Sequence, residues 1–468
     1  MSKPAELTAE AVRTAVAYAA EWVPFRRRIT RVPGIQVAVW FDDGLAMSEA
    51  YGVADVDTGA ELTTSHLFRV ASHSKTFTAT AIMQLVEAGT LRLDDRVDAW
   101  LPFVADDPDG LGDVTVRELL SHAGGVIRDG NNGDFWQRLR PFLDEDGLRA
   151  ASLDGAHVLD PNQRFKYSNI GYSLLGLVVA AASGAPYNEY VTTSIVERLG
   201  LTDTGPEMDG SRAEEYAAGH SSLAYDDERR TIPHVDTRAM SAATGFYSTA
   251  ADLCRYASAH FLGDERLLTD RSKRQMQHEH WDVSGGAGGR EGHYGLGFAI
   301  GTVGERRMIG HGGGYPGHIT RTMFDPEARL AVSALTNTID GPAEEIASGI
   351  VKLVDLAAAP PAGDPVSAEE AAPFCGRFAS LWNVVDVVHL GGRLLLISPS
   401  VGDPAAMVGE LSIVDEDTLR VEDINGYASV GEPMRFERDA NGAIEQVRGT
   451  SAVSMWPYET YRLMRAEA

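Results

Sequence analysis

The sequence predicts an α+β protein: an antiparallel sheet flanked by helices and interrupted by an inserted helical subdomain, followed by a small all-β barrel. Three observations carry this. Strand-like runs stand at Gly34–Gly52 and again between Tyr294 and Leu335, bracketing a mostly helical middle, so one sheet is built from both ends of that region. Residues 357–367 are rich in Ala and Pro, a linker composition. Beyond them, from about Pro373 to Arg465, short apolar runs alternate with turn signals. The expected organisation is therefore a main domain over 1–357, a linker over 358–372 and a barrel over 373–468. A chain of 468 residues is too long for one ordinary core, which agrees with more than one domain.

Taken in order, Thr8 to Arg28 reads as an amphipathic helix, with Val12, Val16, Ala19, Trp22 and Val23 at helical spacing and Pro33-Gly34 ending it. Gly34 to Trp40 is a strand, turned by Asp42-Asp43-Gly44 into a second. A helix follows Ser72, with Ala79, Ile82, Met83, Leu85 and Val86 as its apolar face and Gly89 at its end. Val114 to Leu120 is a short helix closed by Gly124-Gly125, and the polar loop Arg128 to Asp134 is a candidate rim or lid. Helices are expected at about Ile170 to Ala182 and Tyr187 to Leu199, and after the capping Thr249. Strands follow near Tyr294–Phe298, Arg307–Ile309, Ile319–Phe324 and Leu330–Leu335, then a helix over Ala343–Ala357. In the tail, Gly391-Gly392 and Asn441-Gly442 mark two hairpins.

Hydrophobic residues make up 44% and charged residues 23%, the profile of a soluble globular protein. A net charge of −26 argues against nucleic acid or an anionic membrane surface as partner. The N-terminus shows no basic segment leading into an apolar core, and no run approaches the ~20 apolar residues of a membrane helix, so a cytoplasmic location is expected. Two cysteines, Cys254 and Cys375, imply neither a disulfide framework nor a zinc site, and no cofactor or metal is expected.

The chemistry concentrates at Ser72-x-x-Lys75. Positions i and i+3 share a helix face, so the lysine Nζ can reach the serine Oγ. A serine hydroxyl needs a base beside it. A partly desolvated lysine near a helix N-terminus has its pKa pushed down and can be that base, whereas arginine keeps its proton. The chain has only five lysines, and Lys75 alone has a serine three residues before it. A lone S-x-x-K also arises by chance on a solvated turn, so its weight depends on partners. Tyr167-x-Asn169 can aim a phenol and an amide into one cleft; the alternative is that Asn169 caps the next helix and Tyr167 packs. His311 opens a glycine run, Gly312-Gly313-Gly314, that lets a strand backbone pass close to a ligand. Gly314 N–H could then join Ser72 N–H in holding an oxyanion. His122 and His293 also precede a glycine by two and are read as structural, and His278-x-His280 as surface.

The ordered set Ser72-x-x-Lys75, Tyr167-x-Asn169 and His311-x-Gly313 resembles the penicillin-recognising serine hydrolases, in particular the class C branch with Y-x-N in second place. That branch includes D-aminopeptidases, D-alanyl-D-alanine carboxypeptidases, family VIII esterases and peptide-cyclising thioesterases. The resemblance covers about residues 10–357 and implies a β-lactamase/transpeptidase-like fold. It also implies Ser72 as nucleophile, Lys75 as base, Tyr167 as proton shuttle, Asn169 as substrate-amide ligand and Gly314 N–H as second oxyanion donor. The tail is similar to the lipocalin-like domain attached to some of these enzymes. His311 stands where β-lactamases carry lysine and Gly312 where they usually carry a hydroxyl residue, which weakens the grip on a substrate carboxylate. Arg462 is a candidate replacement for that grip. The expectation is a serine hydrolase or acyl transferase with an acyl-enzyme intermediate on an ester, thioester or amide, peptidic and in some members D-configured. The substrate is a small-molecule or peptidyl acyl donor. Alternatives are a peptide-cyclising thioesterase, a family VIII carboxylesterase with weak β-lactamase activity, and a catalytically silent binding module.

Overall fold

The computed structural model describes residues 4–283, 292–361, 363–424, 430–449 and 453–466. Contacts divide the chain into two compact units, Val32–Ala347 and the paired segments Met1–Arg31 and Ser348–Ala468.

The Val32–Ala347 unit is built on one sheet. Its strands are β1 (Gly34–Phe41), β2 (Gly44–Gly52), β3 (Trp281–Asp282), β4 (His293–Tyr294), β5 (Ala299–Val303), β6 (Arg306–Tyr315), β7 (His318–Asp325) and β8 (Leu330–Thr336). They lie in the order β2-β1-β8-β7-β6-β5-β4-β3, every pair antiparallel. The first and last strands of the region pair along their length, Ile35 opposite Thr336 through Phe41 opposite Leu330. The sheet is thus closed from both ends around an inserted middle, as the strand runs predict. β1 is buried at six consecutive positions because it is an inner strand, so it reads as a continuous apolar run rather than an alternating one. Its one buried amide, Gln36, is satisfied by the carbonyls of Thr63 and His66 and by the Ala250 N–H.

Two helices of the insert position the site. Helix α2 (Ser74–Glu87) and a longer helix at 169–183 share one core, which holds Phe77, Ile82 and Met83 of the first and Ile170, Leu174 and Val178 of the second. Helix α3 (Val116–Leu120) starts with a capping box, Thr115 accepting from the Glu118 N–H and Glu118 from the Thr115 N–H. The 169–183 helix is labelled α4 (Asn169–Ser183) and stops at Gly184 with φ +75°. Of the expected strand Tyr294–Phe298 only Tyr294 is strand. Gly295 and Gly297 turn the chain away: a Cβ on Gly295 would overlap the Met276 carbonyl, and Gly297 has φ +83° against Ala79.

In the other unit, β9 (Gly376–Ala379), β10 (Val384–Leu390), β11 (Arg393–Ile397), β12 (Val408–Asp415), β13 (Thr418–Ile424), β14 (Pro433–Arg438), β15 (Ile444–Arg448) and β16 (Ser454–Pro457) form a closed barrel in sequence order. Phe378, Val387, Leu394, Leu411, Leu419 and Phe436 belong to the buried cluster at its core. Both expected hairpin turns are present, with Gly391, Gly392 and Gly442 at positive φ.

The compact units do not follow the expected 1–357 boundary. Helix α1 (Ala9–Thr30) groups with the barrel because its inner face is spent there. Tyr18 Oη donates to Asp386 Oδ2 at 2.7 Å, and Arg377 holds the same carboxylate through two 2.8 Å hydrogen bonds while lying 4.3 Å from the Phe25 ring. Trp22, fully buried, packs on Gly349 of helix α5 (Ala343–Ala358). The linker is shorter than expected, since Ser367 and Glu370 form a capping box that starts a short helix at Ala368–Ala371. The last segment is helix α6 (Tyr458–Ala466) rather than strand. Glu459 and Arg462 pair at helical spacing, 2.8 Å apart, and Arg465 Nε donates to Tyr461 Oη at 3.0 Å. No single described helix is long and apolar enough to cross a membrane. Both cysteines are free thiols.

Candidate active site

Ser72 lies in a single 3-10 turn, Ala71–His73, that leads into α2. Ala71 is held at φ +45°, a left-handed conformation that costs a non-glycine residue energy and survives only where the surroundings over-determine it. They do so here. Val70 N–H donates to the Phe246 carbonyl (2.9 Å), Ser74 Oγ donates to the Ala71 carbonyl (2.6 Å) and accepts from Phe246 N–H (3.0 Å). His73 Nδ1 lies 2.9 Å from the Val70 carbonyl, which can only accept, so Nε2 accepts from Thr322 Oγ1 at 3.0 Å. Ser72 alone in this turn is partly exposed, while residues 73–83 are buried.

Lys75 follows one helical turn later with no exposed surface. Its Nζ is 3.3 Å from Ser72 Oγ, 2.7 Å from Asn169 Oδ1 and 2.8 Å from the Ala243 carbonyl. Burial drives its pKa well below the usual lysine value; the nearby Arg128 charge pushes the same way and Asp129 opposes. Tyr167 Oη donates to Ser72 Oγ at 2.9 Å, and its pKa is raised, mainly by burial, so it is a neutral phenol. Its ring lies 4.8 Å from Lys75 Nζ and 5.2 Å from the Arg128 guanidinium carbon.

The helix cap is Ser168, whose Oγ accepts from Gly171 N–H; Asn169 is the first helical residue and is free for other partners. This removes the reading of Asn169 as a cap. The first two amides of α4, those of Asn169 and Ile170, donate to the Arg128 carbonyl at 2.8 and 3.1 Å. His122 Nδ1 accepts from Ser168 N–H (3.1 Å), and its buried ring lies 4.3 Å from that of Tyr167, so it is a structural histidine.

His311 is in β6 and only 7% exposed. Nδ1 donates to the Gly312 carbonyl (2.6 Å), so Nε2 accepts from Tyr294 Oη (3.2 Å). Burial pushes its pKa well down, so His311 is neutral and supplies no positive charge of the kind a lysine would. Beyond Gly310, β6 has no pairing with β5, and its free edge passes the Ser72 turn. The close approach rests on Gly313: a Cβ there would overlap the Val70 carbonyl oxygen. At Gly312 and Gly314 the nearest atoms to a Cβ would be 3.5 and 3.6 Å away. Gly314 lies opposite Ile319 in the β6–β7 ladder.

Seven of the eight expected site residues therefore come together in one unit. Arg462 is the eighth. It belongs to the barrel unit, on α6, where Glu459 pairs with its guanidinium and the Tyr458 ring lies 5.8 Å away. Sequence reasoning also missed Asp129, which accepts from Asn169 Nδ2 (2.7 Å) and Trp136 Nε1 (2.9 Å), and Tyr294, the partner of His311. The polar loop from Arg128 was the available signal for Asp129. Nothing local marks the Ala243 carbonyl. Among the described residues no group of three His, Cys, Asp or Glu side chains is placed to hold a metal ion.

A mixed fold with a large antiparallel sheet, and a serine, buried lysine and tyrosine meeting at its edge, define the class of the penicillin-recognising serine hydrolases. The chain belongs to the beta-lactamase family, whose model matches residues 14–354. It is 28% identical over 302 residues to penicillin-binding protein 4* of Bacillus subtilis (strain 168), covering 62% of this chain and 64% of that protein; the chain thus spans less than two thirds of this relative's length. Among solved structures it is similar to SurE with D-Leu, with 25% identity, TM-score 0.58, and coverage of 96% of this chain and 99% of that one. It is also similar to the D-amino acid amidase of Ochrobactrum anthropi SV3 complexed with D-phenylalanine, with 26% identity, TM-score 0.59, and coverage of 73% and 99%. The closed eight-stranded barrel fits the lipocalin-like domain expected at the C-terminus.

Proposed function

We propose that this protein is an acyl-enzyme serine hydrolase or acyl transferase that uses Ser72 on an ester, thioester or amide whose acyl side carries a D-configured residue. The observation that carries the reading is the environment of Lys75. A neutral amine has two protons and one lone pair. Two neighbours of Nζ, Asn169 Oδ1 and the Ala243 carbonyl, accept hydrogen bonds, and they take the two protons. The third direction, toward Ser72 Oγ, is left for the lone pair. Burial favours that neutral form.

In the acylation step Ser72 Oγ attacks the acyl carbon while its proton passes to Lys75 Nζ, forming the Oγ–C bond. The neutral Tyr167 phenol, hydrogen-bonded to Oγ, relays a proton from the lysine side to the departing group as the C–X bond breaks. Water or an amine then attacks the acyl-enzyme and the proton path reverses. The two-residue Pro316-Gly317 turn makes Tyr315 and His318 a hydrogen-bonded pair, and alternation along an antiparallel ladder turns the Gly314 N–H away from β7. This supports Gly314 N–H as an oxyanion donor beside Ser72 N–H. The neutral His311 disfavours a substrate gripped by a carboxylate at that point and hence efficient β-lactamase turnover. The D-configuration is supported by similarity to SurE with D-Leu and to a D-amino acid amidase, the latter solved with both D- and L-phenylalanine.

The test is a panel of p-nitrophenyl esters, D- and L-amino acid amides, nitrocefin and a peptidyl thioester. Intact-protein mass reports the acyl-enzyme, and product analysis separates hydrolysis from transfer or cyclisation. Ser72→Ala is expected to abolish both turnover and the acyl adduct with the melting temperature unchanged. A Ser72→Ala protein that retains near wild-type rate overturns the reading, and failure of Ser72 to take a fluorophosphonate favours a silent binding module.

A further inference from the structure

We propose that Asp129 is a positioning residue for the base: it locks the Asn169 carboxamide with its oxygen toward Lys75, so that the lysine lone pair is left for Ser72. The inference rests on the reading of Lys75 as base and adds what fixes its geometry. A carboxamide has an accepting end and a donating end of nearly the same shape, and nothing in its own packing distinguishes them. Asn169 is 3% exposed and contacts Lys75 with one end and Asp129 with the other. An ionised carboxylate only accepts, so the end facing Asp129 must be the NH2 group, 2.7 Å away, and the oxygen must then face Lys75 Nζ. With the amide reversed, its N–H would point at Nζ and compete for the lone pair that Ser72 needs.

The device is itself held in place. Asp129 has a side chain 17% exposed, and the same Oδ1 also accepts from Trp136 Nε1 at 2.9 Å. Its neighbour Arg128 is anchored through its carbonyl to the first two amides of α4 and contacts Asp129 Oδ2 at 3.3 Å. The loop from Arg128 to Trp136 is thereby wired to the nucleophile through a chain of four side chains, Trp136, Asp129, Asn169 and Lys75, ending at Ser72. Charge adds a second effect. The Asp129 carboxylate favours the protonated lysine, whereas Arg128 disfavours it. The other titratable groups near Nζ are Ser72-bound Tyr167, Tyr172 at 5.6 Å from ring centre to Nζ, and the neutral His122 and His311.

Two variants separate orientation from charge. Asp129→Ala removes the acceptor, and kcat on the smallest p-nitrophenyl ester is expected to fall roughly 10- to 100-fold with little change in KM. Asp129→Asn keeps an acceptor that both Asn169 and Trp136 can use, and is expected to recover most of kcat. Because it lacks the charge, the acid limb of its kcat profile should move to lower pH by about half a unit to one unit. A group that merely supported the fold would lower the melting temperature, show no rescue by Asn and leave the limb in place. The proposal is overturned if Asp129→Ala stays within about twofold of wild type, if Asp129→Asn is no better than Asp129→Ala, or if the isosteric Asp129→Asn shows no shift of the limb. Ser72→Ala and Lys75→Arg run beside them: if those are inactive and the Asp129 variants are normal, this inference alone fails, and if Lys75→Arg is active, the reading of the base fails first.

Discussion

Lys75 is the residue whose state decides the rest. Protonated, it would place a charge among Ser72, Asn169, Ala243 and two tyrosine rings with no exposed surface; neutral, it has two acceptors for its protons and a hydroxyl for its lone pair. Its pKa is depressed, so the active form gains population as pH rises through a value well below that of a free lysine. Activity is therefore expected to rise with pH on the acid side and to be lost as pH falls through that value, which a kcat/KM profile measures. Lys75→Arg keeps the charge and removes the base; a loss of about 10²–10⁴-fold in kcat is expected. Two neighbouring glycines make a sharper steric test. A methyl at Gly313 overlaps the Val70 carbonyl in the nucleophile turn, so Gly313→Ala is expected to cost about 1–3 kcal/mol and most of the activity. At Gly312 the same methyl meets only ordinary contacts at 3.5 and 3.8 Å, so Gly312→Ala should stay within about 0.5 kcal/mol of wild type by thermal melting.

The elements behave according to what closes them. The Asn441-Gly442 turn joins β14 and β15 with Gly442 at φ +84° in open space, so no neighbour opposes a side chain there and only backbone strain counts. Gly442→Ala is therefore expected to lower stability by about 1–2 kcal/mol without touching esterase rates. The Ser72 turn is closed differently, by its own side chains reaching distant segments: Ser74 Oγ accepts from the Phe246 N–H, and His73 meets Thr322 on β7. A short turn held in this way has a fixed Oγ position even though Ala71 is in a costly conformation.

At the scale of the molecule, α1 and the barrel share one compact unit although 345 residues of chain, 31–375, separate them. Tyr18, Phe25 and Trp22 find their partners on Asp386, Arg377 and Gly349. Truncation near residue 360 would strip α1 of the Asp386 and Arg377 contacts and expose its apolar face. Such a chain is expected to aggregate or to melt at a clearly lower temperature than the full protein, which calorimetry and light scattering would show. A monodisperse truncated protein with the full-length melting temperature would mean that the barrel unit contributes nothing to α1.

The sequence by itself determined the elements and the reactive set. Hydrophobic periodicity placed α1 and α2, since burial on one face repeats at fixed spacing, and strand-like apolar runs bounded by turn residues placed β1, β2, β7 and β8. Ser72, Lys75, Tyr167, Asn169 and His311 were legible because their chemistry demands particular side chains in short motifs. Only the tertiary structure decided which segment covers which, because α1's apolar stripe would fit many surfaces and the pattern does not say which one. The helical end of the chain, α6, was missed because its charged pairs at i, i+3 carry less weight than the strand runs before it. The tautomer of His311, the two ends of the Asn169 amide and the part played by Asp129 lay outside any motif. The first is set by the carbonyl of the neighbouring Gly312, and the amide by an acceptor on the loop beginning at Arg128, with Lys75 brought within hydrogen-bonding distance only when α2 and α4 converge.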